Sequence, residues 1–347
     1  MDPTAGWQDV QESLAFAVSR VVEDPGPVND REAADGHRYV MRMLAAITES
    51  TLVTRDVDRP ELLPMLESTR HLGAAGPDID YDVASLRPGR SYRITGRRGG
   101  ATYVGICLYD GGSDTGPAAL LDSVDVDALD LGPDGTFTWD FSHPDAVRAI
   151  IRQYFHDRAH QARGEFTIAF TDGEAAPLRL PTTDQVAGEL RAAARQLRWN
   201  AQLNRLWGVE HRRTPNRFVR QSAAEIAAAI PNPDVTYAFG WWRLADGEAL
   251  VVEHAPPAEC AYWALQVCDR WFQSYPDRRS NLHDREVVRE SDGRVRLVIA
   301  TTDPGHPNWL DTGGHRTGVM FFRWLHADPA ELPACTIVPV DAVAPPT

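Results

Sequence analysis

Two stretches of the chain repeat one another at a nearly constant offset, and this limits the folds open to it more than any other feature. The run YRITGRRGGATYVGICLYD, from Tyr92, lies over LVVEHAPPAECAYWALQVCD, from Leu250, so that Tyr103 meets Tyr262 and Asp110 meets Asp269, 159 residues apart. On one strand face Val104, Ile106 and Leu108 then meet Trp263, Leu265 and Val267. Further on, Asp134-Gly135 meets Asp292-Gly293 at an offset of 158, each a turn signal before an alternating run: Phe137, Trp139, Phe141 and Val295, Leu297, Ile299. A third match, at an offset of 154, sets Gly164-x-Phe-x-Ile-x-Phe against Gly318-x-Met-x-Phe-x-Trp. Strand signals in one order, twice, predict two related antiparallel β-modules of sandwich or jelly-roll type.

Helical periodicity fills the remaining segments. Leu14, Ala17, Val18, Val21 and Val22 recur at helical spacing, as do Tyr39, Met43, Leu44 and Ile47, with DPGPVND between the two runs. The Ala- and Arg-rich stretch from Gln185 to Trp207 is a third helix, capped by Thr183 or Asp184, and SAAEIAAAIP is a shorter fourth. The expected class is α+β. The expected order is a helical segment at 1–90, a β-module at 91–182, a helical connector at 183–247 and a second β-module at 248–347.

The same stretches resemble a bacterial family of domains of unknown function, the one numbered twelve-fourteen, often found with a partner domain. The resemblance runs from about Gly36 to the end, through GPDIDY (76–81), YRITGRRG (92–99), DGTF (134–137), RQYFHD (152–157) and NWLDTGGHRTG (308–318). It implies two β-rich domains with helical additions and supplies no reaction.

Composition removes several function classes. A net charge of −14 is wrong for nucleic acid, whose phosphates call for clustered Lys and Arg, and equally wrong for an anionic lipid surface. No run approaches the ~20 apolar residues of a membrane span, and the first twenty residues lack the pattern of a signal peptide. Four cysteines without a Cys-x-x-Cys pair read as free thiols of a cytoplasmic protein. No nucleotide loop, Gly-x-Ser-x-Gly elbow or His-Glu-x-x-His occurs. No cofactor is expected, and no metal; the remaining partner is a small molecule.

The densest chemistry lies in DPGHPNWLDTGGHRTGVMFFRW, residues 303–324. Asp303-Pro304-Gly305 and Gly313-Gly314 are turn signals, and Trp309 is expected in the core. His306, His315, Asp303 and Asp311 exceed what a turn needs, and a His–Asp pair moves protons near neutral pH. If Trp324 faces the core, Arg323 faces the other side of its strand, available to an anionic group. Asp78 and Tyr81 form a second acid–base candidate, since Asp78 and Asp80, two apart on an extended segment, point the same way. Arg152 and Tyr154 belong either to a cavity-lining strand or, with His156 and His160, to a helix face of metal-ligand spacing. Ten tryptophans, with Trp263, Trp271 and Tyr275 ahead of His283, suggest an aromatic-walled pocket. The expected function is therefore a cofactor-independent acid–base enzyme of lyase, isomerase or hydrolase type, acting on a small, partly apolar molecule. A non-catalytic small-molecule binding module is the alternative, and a scaffolding protein the third reading.

Overall fold

The computed structural model describes residues 2–23, 29–53, 56–66, 73–111, 118–177, 180–221, 225, 230–275 and 277–347. Helices α1 (Pro3–Glu23) and α2 (Asp30–Val53) open the chain. Eight strands follow: β1 (Leu63–Met65), β2 (Ile79–Ser85), β3 (Ser91–Arg97), β4 (Tyr103–Tyr109), β5 (Leu120–Asp125), β6 (Thr136–Ser142), β7 (Arg148–Tyr154) and β8 (Glu165–Phe170). Helix α3 (Thr183–Arg213) is capped by Thr182, whose hydroxyl accepts the Gln185 N–H at 3.2 Å. The second half holds β9 (Arg217–Arg220), β10 (Val235–Arg243), β11 (Glu248–His254), β12 (Tyr262–Asp269), β13 (Asn281–His283), β14 (Val295–Ala300), β15 (Trp309–Asp311), β16 (Thr317–Leu325) and β17 (Ala334–Pro339).

The class is α+β, with sandwich-like modules of mostly antiparallel sheet. The first module pairs a large sheet, β1-β2-β7-β4-β5, with a small one, β6-β3-β8. The second pairs β9-β10-β16-β12-β13 with β15-β14-β11-β17, so the large sheets share one strand order and β6-β3-β8 matches β14-β11-β17. Only β14 and β15 run parallel among the described pairings. This order corrects the third sequence match. The Gly318 run, β16, stands where β7 stands, at the centre of a large sheet; the counterpart of β8 is β17. Alternation marks a strand but does not say which sheet it joins.

The elements also begin earlier than the hydropathy suggests. β1 and β2 lie inside the expected N-terminal helical segment, and β9 and β10 inside the expected connector. The fourth helix, SAAEIAAAIP, falls largely outside the described residues. Each module has its own core: Val104, Ile106 and Leu108 face Ile94 and Phe137 in the first, and Trp263, Leu265 and Val267 face Leu250 and Leu297 in the second. The outer faces of β4 and β12 are buried too, which is why both strands read as continuous apolar runs. Those outer faces meet across Ile79, Tyr103, Tyr154, Val235, Tyr262 and Leu325.

The three helices pack on one another through Ala17, Tyr39, Met43 and Leu197, and reach the second module through Trp271. Among the described residues no helix is long and apolar enough to cross a membrane.

Candidate functional site

β16 is entered through a reversal at Gly313 (φ 65°) and Gly314 (φ 81°), a left-handed pair that suits glycine. Asp311 holds it by accepting the Gly313 N–H at 2.7 Å, and the His315 N–H donates to the Thr312 carbonyl at 3.2 Å. The turn thereby carries the His315 ring away from Asp311 and under α2. There its Nε2 lies 3.0 Å from Asp35 Oδ2. The ionised carboxylate is acceptor-only, so Nε2 donates to it, and in the neutral ring Nδ1 then presents a lone pair. The hydrogen bond from His315 holds the Asp35 carboxyl below its usual range; Arg31 and Arg38 act the same way.

Other polar atoms around this ring also lack partners. His315 Nδ1, Tyr275 Oη and Thr312 Oγ1 are all buried and make no hydrogen bond. The Tyr275 and His315 rings lie 5.4 Å apart. Asp269, at the end of β12, is 2% exposed, and burial pushes its carboxyl up to about 6. His315 nearby and the backbone N–H groups of Gln273 and Trp271 oppose that rise. Buried polar groups are normally satisfied, and these three, with the buried Asp269 carboxyl close by, set the His315 end of the second module apart as a polar cluster.

Not every residue singled out from sequence converges here. His306 is buried elsewhere: its Nδ1 accepts the Asn308 N–H at 3.1 Å, and burial lowers its pKa. Asp303 accepts the Gly305 N–H and serves a turn. Asp311 meets Arg278 at 3.3 Å. Trp309 is half-buried, its Nε1 donating to the Ala300 carbonyl, while Leu310 fills the core in its place because neighbours on a strand face opposite sides. Asp78 and Asp80 do not form a carboxylate pair. Asp78 accepts from Tyr262, and Asp80 meets Arg158 and Arg163. The carboxyl that burial raises is Asp82, opposed by Arg163. Trp263 packs in the module core and Trp271 under the helices, so of the expected aromatic wall only Tyr275 stands at His315.

Arg152, Tyr154 and Arg323 lie between the modules, with Tyr81 beside Arg152 in register. Arg152 and Tyr154 belong to β7, which excludes the helical His156–His160 pairing; His160 is exposed and meets Asp157. His156, His283 and Asp284 form the one metal-competent group among the described residues, their ligand atoms all within 4.8 Å of one another. His156 Nε2 meets Asp284 at 2.8 Å and its Nδ1 meets the Thr102 hydroxyl at 2.8 Å, while His283 Nδ1 accepts the Arg285 N–H, so each ring is already engaged. Sequence reasoning missed Asp35. It lies 280 residues from His315, and nothing in its helix distinguishes it from other solvated acids.

A profile described as "Protein of unknown function (DUF1254)" matches residues 215–337, which is β9 to β17 without the last strand's end. Among solved structures the chain is similar to a putative uncharacterized protein from Burkholderia cenocepacia: 27% identity over 97% of this chain and 98% of that one, with a TM-score of 0.91. It is also similar to the VPA0106 protein from Vibrio parahaemolyticus, at 11% identity over 87% of this chain and 98% of that one, with a TM-score of 0.46. The first likeness covers both modules and the helices and supports the fold; the second carries no argument. No curated protein matches.

Proposed function

We propose that the chain is an acid–base enzyme acting on a small, partly apolar molecule, with His315 as the base. The observation that carries this reading is the unpartnered Nδ1 of a histidine whose Nε2 is committed to Asp35, beside the unpartnered hydroxyl of Tyr275. Asp35 fixes the tautomer and stabilises the imidazolium that forms when Nδ1 takes a proton. Tyr275 donates to the oxygen on which charge develops. Lyase, isomerase and hydrolase steps all begin this way, and none needs a cofactor at this site. The four free cysteines, two of them buried, suit the reducing cytoplasm in which we place the protein. The twelve-fourteen resemblance, with the DUF1254 match on the second module, suggests two paired domains of related origin.

The competing reading is a binding module, favoured by the complete burial of His315, 0% exposed. A base at His315 needs the lone pair on Nδ1. Long-range proton–nitrogen correlation on histidine-labelled protein, in mildly alkaline buffer, should show His315 protonated at Nε2 alone. A proton on Nδ1 would remove the base.

A further inference from the structure

Between the modules the sequence repeats a second time. Pro77-Asp78-Ile79-Asp80-Tyr81 leads into β2 and Pro233-Asp234-Val235-Thr236-Tyr237 leads into β10, 156 residues later. Their contacts are reciprocal. Tyr103 of the first module donates to Asp234 of the second at 2.6 Å, and Tyr262 of the second donates to Asp78 of the first at 2.9 Å. Arg152 Nη2 donates to the Ile230 carbonyl at 2.7 Å, and Arg323 Nη2 donates to the Ala74 carbonyl at 2.8 Å. Both carbonyls belong to residues in left-handed backbone, φ 55° and 59°. In the sheets, Arg152 lies opposite Tyr81 and Arg323 opposite Tyr237. The two halves thus form a pseudo-twofold junction with an arginine and two tyrosines from each side.

Both guanidiniums are buried, at 5% and 7% exposure. Their other hydrogen bonds go to neutral groups: Arg152 to the Tyr109 hydroxyl at 2.9 Å, Arg323 to the Gln266 amide oxygen. Among the described residues neither makes an ion pair with a carboxylate. A buried charge without a counter-ion is strongly unfavourable, and two at one junction are more so. Tyr154 and Tyr237 stand in the electrostatic surroundings of both arginines, and the Tyr154 and Tyr262 rings are 5.5 Å apart. Tyr81 and Tyr237, which face the two arginines across the sheets, are half-buried.

We infer that this junction binds a small dianion, a dicarboxylate or a phosphate, with Arg152 and Arg323 supplying the two charges and the Tyr81 and Tyr237 hydroxyls the remaining donors. Planar guanidinium forks match carboxylate and phosphate oxygens, and four aromatic rings suit a short apolar link between two acid groups. This inference is independent of the chemistry at His315.

The test is calorimetric titration of the full chain with succinate, inorganic phosphate and acetate at constant ionic strength. Succinate or phosphate should bind with a Kd near or below about 1 mM, and acetate at least roughly tenfold more weakly. Arg152→Gln and Arg323→Gln should each weaken the dianion by roughly tenfold or more, and Arg323→Lys, which keeps charge but loses the fork, by less. Absence of binding by either dianion to the unaltered protein, or equal affinity in both glutamine variants, would overturn the site. If those variants fail to fold, a crystal of the unaltered protein grown with phosphate decides. Density bridging the two guanidiniums supports the proposal, and its absence refutes it.

Discussion

Asp269 titrates in a place that disfavours its charge, and this has a sign that can be measured. Burial pushes its carboxyl from 3.8 up to about 6, so across that interval the unfolded chain is ionised while the folded one still holds the proton. The stability it contributes is fully present below about pH 4 and is lost as pH rises through 6. The loss is on the order of 2–3 kcal/mol. Asp269→Asn keeps an oxygen for the backbone N–H groups of Trp271 and Gln273 and removes the titration. Urea unfolding at acid and neutral pH should therefore show the unaltered protein losing stability relative to Asp269→Asn on going to neutral. A constant difference between the two would mean that this carboxyl is not raised. His315 and Asp35 belong to the same scale. The imidazole could be suspected from sequence because turn formation did not account for it. Its partner could not, because a lone acid on an amphipathic helix carries no mark of what it will face.

The short strand β15 and helix α2 do the positioning. Adjacent residues of β15 split between core and surface, so Leu310→Ala should cost about 2–5 kcal/mol by opening a cavity, and Trp309→Ala clearly less, since Trp309 is only half-buried. Equal costs in chemical denaturation would contradict the side assignment. Helix α2 comes close enough to offer Asp35 because residue 36 is glycine: a Cβ there would sit 2.7 Å from Trp271 Cζ2. Gly36→Val should lift α2 off the Trp271 loop and part Asp35 from His315. Activity should then fall as far as in Asp35→Asn, although residue 36 touches neither group. A Gly36→Val variant with unimpaired activity would show that the helix does not set the pair. Element identity was legible where alternation or helical spacing ran long, as in β4, β12 and α3. It failed for β9 and β10, where the strands follow a long helix and GWWR reads equally as buried helix.

At the scale of the whole chain, the module plan is legible in the sequence, and its most specific signal lies outside the strands that fill the cores. Offsets of 159 and 158 located the matching strands. Yet the plainest repeat is the Pro-Asp-x-x-Tyr pair at Asp78 and Asp234, because those residues hold the modules together rather than filling either core. Arg152 and Arg323 share no local motif in the sequence, and the strand order, with β7 and β16 at matching places, shows them to be counterparts. The site at His315 has no such twin; the helices supply its other half. The claim that His315 is a base with a substrate is tested most directly by mass spectrometry of a small-molecule extract incubated with the unaltered protein and with His315→Gln. At least one compound should be consumed and its product formed, about 10²-fold more slowly with His315→Gln, while the melting temperature barely moves. An unchanged extract, together with a compound that co-purifies stoichiometrically with both proteins, would contradict catalysis and leave a binding protein.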